Sequence, residues 1–252
     1  MSPEQETSKE APKESSIETQ RSFWNDWNST HREQVVGPVS QRQAEIILQW
    51  MTELGRANLD IIDIGCGTGW LCEQLTRFGR VTGTDLANEV IERARLRVPS
   101  ARFIAGDFMA LDIKAAAFDV VTTLEVLSHM QDQPAFIAKL AASLRPGGTL
   151  MMATQNRFVL ERNDVPPPKP GQLRRWVNRR ELLRLLAPHF DIERIFTVTP
   201  VGNRGVLRLA NSIKLNRLAS ALCGADRVRS GKEKLGLGWT LMVRARKRQP
   251  VK

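Results

Sequence analysis

The sequence predicts an α/β fold, a doubly wound and mostly parallel sheet of seven strands with helices on both faces. Three observations predict it. From Leu59 onward, short apolar runs alternate with stretches of helical pattern. A glycine string, Asp63-Ile-Gly65-Cys-Gly67-Thr-Gly69, lies between the first run and the first helix. The 252 residues are 42% apolar and 25% charged, which suits one globular domain, and no run approaches the roughly 20 apolar residues of a membrane span.

Residues 1–19 hold five glutamates against two lysines and almost nothing to bury, so a disordered tail is expected there. They lack the apolar stretch of a signal peptide, and their acids argue against a transit peptide. Residues 20–252 then form a single domain with an N-terminal lid helix in about 20–50, a ligand-binding core in about 56–155, and a basic C-terminal part. Strands are expected at Leu59–Ile64, Arg80–Thr84, Arg102–Ala105, Phe118–Thr123, Thr149–Thr154, Phe190–Val198 and Trp239–Ala245. Between them, helical pattern runs from the glycines through Phe78, over Asn88–Val98 up to Pro99, and over Pro134–Leu144 before a turn at Arg145-Pro-Gly-Gly148. Consecutive prolines in 163–171 bar both helix and central strand, so that stretch is an extended loop. Asn178, with Glu181 three residues on, has the pattern of a capping box that opens a helix. A second break at 200–205 leads into an inserted helical segment within about 200–236.

The formal net charge of +10 is concentrated late: residues 171–252 carry 19 Lys and Arg against five acids. Such a region suits an anionic substrate, a membrane surface or nucleic acid, and solvated basic faces explain it equally. In Val206–Leu222, Leu215, Leu218 and Leu222 share a helical face while Arg208, Lys214 and Arg217 supply charge. That pattern fits a cover over a substrate site, a core contact or a peripheral membrane contact. The basic region lacks the interleaved aromatics of a stacking platform, so nucleic acid is not the expected partner. Three cysteines (Cys66, Cys72, Cys223) and three histidines show no metal-ligand spacing and no disulfide framework, which points to a reducing, cytoplasmic setting without a metal.

Glycines between a first strand and a first helix let the backbone turn tightly and approach a ligand closely. Here the spacing is GxGxG, whereas the dinucleotide fingerprint places its third glycine one residue later. Asp63 puts a carboxylate at the end of the strand, which would repel a pyrophosphate and suits an ammonium or sulfonium. Asp85, 20 residues after Gly65, ends the second strand, where an acid can accept both ribose hydroxyls. Together these features favour S-adenosylmethionine over NAD.

On Asp63–Gly69, Val81-Thr-Gly-Thr-Asp85, Gly106-Asp107-Phe108, Phe118–Met130 and Leu144-Arg-Pro-Gly-Gly-Thr149, the chain resembles the class I S-adenosylmethionine-dependent methyltransferases. The resemblance covers roughly Leu59–Thr154. Within the class, Leu124-Glu-Val-Leu-Ser-His-Met130 and Ala153-Thr-Gln-Asn-Arg157 are most similar to the ubiquinone-biosynthesis O-methyltransferases. The resemblance implies a Rossmann-like sheet whose last strand is antiparallel. It implies that Gly65, Cys66, Gly67 and Gly69 pass under the methionine part of S-adenosylmethionine, with Asp63 beside its amino end. By the same resemblance Asp85 holds the ribose, Leu86 lies against the adenine, Asp107 accepts from the adenine amino group, Phe108 covers the ring, and Leu124 sits near the reacting centre. Arg42 reaches the cofactor carboxylate or is a surface arginine. The relatives carry Glu-x-x-Glu-His where this chain has Glu125, Ser128 and His129, so one carboxylate of a magnesium site is missing.

Methyl transfer to a hydroxyl needs alignment, exclusion of water and a base. His129, after the fourth strand, is the candidate base, and the alternative is a structural histidine. Trp24 and Trp27 suit one face of a lid helix. Asn156 and Arg157 leave the fifth strand towards the same rim, and Arg174, Arg175 and Trp176 follow as candidates for an anionic or aromatic acceptor. The expected function is O-methylation of a small phenolic, sugar or lipid-like hydroxyl. The alternatives are N-methylation of a small amine and an inactive module that binds cofactor or a partner.

Overall fold

In the computed structural model, described residues are 16–31, 37–200 and 224–249, with Ser212, Arg217 and Ala221 between the last two stretches. Helix α1 (Ile17–His31) begins inside the stretch whose composition predicts disorder. The Thr19 amide donates to Ser16 Oγ at 3.2 Å, as at a helix N-cap. The single expected lid helix is in fact two, α1 and α2 (Pro38–Glu53). Pro38 starts the second, a position where a missing N–H costs nothing.

Seven strands follow: β1 (Leu59–Ile64), β2 (Gly79–Asp85), β3 (Arg102–Ala105), β4 (Phe118–Leu124), β5 (Leu144–Gln155), β6 (Phe190–Pro200) and β7 (Gly238–Lys247). Their order in the sheet is β3-β2-β1-β4-β5-β7-β6. Neighbours from β3 to β5 pair parallel, and β7 inserts antiparallel between β5 and β6. The turn expected at Arg145-Pro-Gly-Gly148 lies inside β5. Phe118 pairs with Leu144 and Val120 with Thr149, so the surplus residues bulge out of an otherwise continuous strand.

Helices α3 (Trp70–Leu75), α4 (Asn88–Arg97), α5 (Gln133–Ser143), α6 (Arg157–Leu160), α7 (Arg179–Leu186) and α8 (Ala225–Lys234) complete the described chain. The predicted capping box opens α7: Asn178 Oδ1 accepts from the Glu181 amide at 3.0 Å, and Glu181 Oε2 accepts from the Asn178 amide at 2.9 Å. Alternation along the strands buries both faces of the sheet. Ile61, Val120, Met151 and Met242 join Ile47, Trp50 and Leu71 on one side. Ile62, Val121, Met152 and Val243 join Phe136, Leu140 and Leu182 on the other. Among the described residues no helix is long and apolar enough to cross a membrane. The amphipathic pattern of Val206–Leu222 falls almost wholly outside the described residues.

Candidate active site

Where parallel strands end and their order reverses around β1, the crossovers diverge and leave a crevice. Here it is a cavity of about 680 Å³. Its floor is the carboxyl edge of β1, β2 and β4 with the loop after β3, and its walls come from α1, the start of α2 and the segment after α6.

The glycine string closes back on β2: the Gly65 and Cys66 amides donate to the Thr84 carbonyl, and the Gly67 amide donates to Asp85 Oδ2 at 2.9 Å. Gly65 has φ +74°, and a Cβ there would stand 2.2 Å from Val126 Cγ2, so both conformation and space require glycine. Asp85 Oδ1 accepts from the Ala87 amide at 2.9 Å. Burial pushes the Asp85 carboxyl up, against the amides of Ala87, Gly67 and Leu86. Gly65, Gly67, Asp85, Leu86, Asp107, Phe108 and Leu124, positions the resemblance assigns to the cofactor, all line the cavity. Asp107 accepts from the Met109 amide, and the Phe108 ring packs edge-on against Phe136 at 5.7 Å.

Asp63 lies behind the loop, with Cys66, in a small adjoining cavity that shares Gly65, Leu124 and Glu125 with the large one. Burial pushes its carboxyl up to about 6, although Thr122 Oγ1 donates to it at 2.7 Å and the Cys72 thiol at 3.5 Å. Among the described residues no lysine or arginine pairs with Asp63, Asp85 or Asp107. Gly69 lies outside the lining and serves as the left-handed N-cap of α3.

His129 lines the cavity from the turn after β4. Its Nδ1 is 2.6 Å from the Leu173 carbonyl. A carbonyl oxygen only accepts, so Nδ1 carries the hydrogen and Nε2 the lone pair. The edge of Trp24 meets the imidazole at 4.6 Å between centroids. Burial first, opposed by the Leu173 carbonyl and then reinforced by the Arg174 charge, pushes His129 down to about 4, so it is neutral at working pH. Trp27 lines the same cavity and stacks on Phe23 at 6.0 Å.

Four expected site residues point elsewhere. Arg42 is outside the lining, and its guanidinium meets Glu45 at 3.0 Å and Glu233 at 3.8 Å. Asn156 donates to the Gly236 and Gly238 carbonyls, because strand alternation turns Gln155 inward and Asn156 away. Arg157 is bound to Glu181 at 2.6 Å and steadies α7. Arg175 is outside the lining and donates to the Gln131 carbonyl. The chain is extended there, so Gln172, Arg174 and Trp176 face the cavity and Arg175 does not.

Sequence reasoning missed the support under Glu125. This residue sits at φ +63°, and its Oε1 accepts from Gln43 Nε2 and from Thr240 Oγ1 at 2.9 Å. Both donors are almost fully buried. A signal for Gln43 exists: Ser40, Gln43, Ala44, Ile47 and Met51 share one helical face, where two polar groups stand in an apolar stripe. Ser128 donates to Gln155 Oε1. Gly171 (φ +83°), where a Cβ would stand 2.5 Å from the Thr19 carbonyl, lets the proline loop press on α1. Among the described residues, no three His, Cys, Asp or Glu side chains converge as metal ligands.

Residues 62–152 match a family described as a methyltransferase domain. The chain is 41% identical over 105 residues to a ubiquinone biosynthesis O-methyltransferase of Idiomarina loihiensis, a match covering 39% of this chain and 43% of that protein. Thus the chain spans less than half the length of such curated relatives. In fold it is similar to the N-methyltransferase NodS of Bradyrhizobium japonicum, solved with S-adenosylhomocysteine (TM-score 0.64, 15% identity, 92% of this chain and 100% of that one). It is also similar to the cyclase SpnF (TM-score 0.61, 19% identity, 92% and 98%). At these identities the likeness is one of fold, and that fold hosts more than one chemistry.

Proposed function

We propose that the chain is a class I S-adenosylmethionine-dependent methyltransferase and that it methylates a hydroxyl of a small molecule, a reading supported by the match of residues 62–152 to a methyltransferase domain and by the likeness to O-methyltransferases. The observation that carries this reading is the set of three acids, Asp63, Asp85 and Asp107, without basic partners at the carboxyl edge beside a cavity of about 680 Å³. Acids left unmatched by the fold suit a ligand that brings an ammonium, a sulfonium and hydrogen-bond donors. The chain therefore fits S-adenosylmethionine, held by Asp85 at the ribose, by Asp107 and Phe108 at the base, and by the glycine loop with Asp63 behind it at the amino acid end. When bound, this cofactor supplies a methyl carbon on a positively charged sulfur, a leaving group that needs no acid. A volume of this size takes cofactor and acceptor together.

The protein's own work is then alignment, dryness and one proton. Trp24, Trp27 and the proline loop cover the cavity and exclude water. His129, held by Leu173 with its lone pair on Nε2, takes the hydroxyl proton of the acceptor. Glu125, clamped by Gln43 and Thr240, fixes the backbone turn after β4 next to Leu124. Since position 128 is a serine already bonded to Gln155, magnesium is not required, and activity should survive EDTA.

The direct test has two stages. Calorimetry with S-adenosylhomocysteine comes first, and absence of binding would leave only a partner-binding module. Transfer from methyl-labelled S-adenosylmethionine to a panel of phenols, sugars, hydroxy lipids and amines comes next. Label on hydroxyls supports the reading, whereas label on amines alone replaces it with N-methylation.

A further inference from the structure

We infer that the methyl acceptor carries an anionic group, a carboxylate or a phosphate, on an aromatic or apolar body, and that Arg174 is the residue that recognises it. The inference rests on the methyltransferase reading above and names the class of its acceptor. Charge in the cavity is mostly acidic. Asp85, Asp107, Glu125 and Asp132 line it from strand ends and the loops that follow them. Arg174 is the one arginine or lysine among its described lining residues, and it comes from the segment after the proline loop, which is bonded to the turn after β4 at Ser128 and His129.

Arg174 is also a cation without a counter-charge. No carboxylate pairs with it among the described residues. Its Nη1 donates to the Pro166 carbonyl and its Nη2 to Gln172 Oε1, both neutral partners. A guanidinium has five N–H groups, so three remain for a ligand. Its carbon lies 5.3 Å from the centre of the Trp176 ring, which fixes the plane of the fork and supplies a flat apolar wall beside it. Partial burial lowers its pKa, an indication that the charge is poorly solvated where it stands. The fork of an arginine matches carboxylate and phosphate oxygens in pairs, and an ammonium would be repelled. Leu173, the preceding residue, holds His129 through its carbonyl, so anion recognition and the base share one segment.

The test uses the full chain saturated with S-adenosylhomocysteine and three probes: 3-hydroxy-2-naphthoate, its carboxamide, and 2-naphthyl phosphate. An anionic probe is expected to bind about tenfold or more tightly than the carboxamide. In Arg174→Gln that preference disappears, and in Arg174→Lys it partly returns. Whichever anion binds more tightly identifies the group as carboxylate or phosphate. Equal affinity for naphthoate, phosphate and carboxamide would overturn the inference, as would a preference that survives in Arg174→Gln, or no binding of any probe at millimolar concentration. The affinity for S-adenosylhomocysteine, measured in each protein, separates these outcomes from failure of the cofactor reading or of folding.

Discussion

Strand β1 carries two aspartates, one near each end, and the sheet treats them in opposite ways. At the amino edge, Asp60 receives Arg80 and Arg145 at 2.7 Å each, and Arg145 also reaches Asp119, which holds Arg56. These guanidiniums, Arg145 first, keep the Asp60 carboxyl below its ordinary range despite partial burial. At the carboxyl edge, Asp63 has a hydroxyl and a thiol for partners and is pushed up to about 6. One edge neutralises its acids internally and ties four strands, β1, β2, β4 and β5, together. The other leaves Asp63, Asp85 and Asp107 without a basic partner among the described residues, and burial raises the Asp63 and Asp85 carboxyls. The ion-pair network and the proposed site thus lie at opposite ends of the same strands.

The largest effect expected at the functional edge concerns His129. His129→Ala should lower turnover by roughly 10²–10⁴ while S-adenosylhomocysteine affinity stays nearly constant. Near-normal turnover would make His129 a packing residue. For the wild type, the acidic limb of kcat/KM is expected near pH 4, where burial places this imidazole; a limb near 6.5 would contradict its buried setting.

The comparison itself is tested by two isosteric changes that should give opposite slopes of stability with pH. The folded-state value of Asp63, about 6, lies above its unfolded value of 3.8, so its favourable contribution is present below pH 4 and lost as pH rises through 6. Relative to Asp63→Asn, the wild type should therefore weaken over that window by at most about 3 kcal/mol. Asp60 is depressed, so its contribution stands above the ordinary carboxylate range and is lost as pH falls. Denaturant midpoints of the three proteins from pH 3 to 8 would show it. Parallel curves would erase the distinction between the two ends.

A smaller effect is expected at Asp85, the acid proposed to hold the ribose. Asp85→Ala removes a charged acceptor and leaves the Gly67 and Ala87 amides without theirs, which should weaken S-adenosylhomocysteine by about 1.5–3 kcal/mol in calorimetry. The smallest belongs to the structural edge. Arg145→Ala should lower stability by about 1–2 kcal/mol, because the pairs are partly exposed, and should leave cofactor affinity unchanged. Altered affinity in that variant would show that the two ends are coupled.

Much of the site was legible in the linear chain because its signals are local. A glycine string at a strand–helix junction, an acid closing the next strand and a capping box at Asn178 each need only neighbours in sequence, and each is found where expected. The errors share a cause. Asn156, Arg157 and Arg175 have suitable chemistry and lie near lining residues, but the backbone turns Asn156 away after Gln155, the start of α6 gives Arg157 to Glu181, and no local pattern says which side is the cavity. For Arg42 the resemblance left a cofactor contact and a surface arginine open, and α2 gives its guanidinium to Glu45 and Glu233.

By itself, then, the sequence determined the strand–helix alternation, the buried faces and the glycine loop, since hydrophobic period and glycine conformation act over a few residues. Tertiary structure alone decided that β7 slots between β5 and β6, that Gln43 and Thr240 meet on Glu125 across 82 and 115 residues, and that Leu173 orients His129. Those contacts join segments far apart in the chain, and only the closed sheet brings their donors within hydrogen-bond reach of their acceptors.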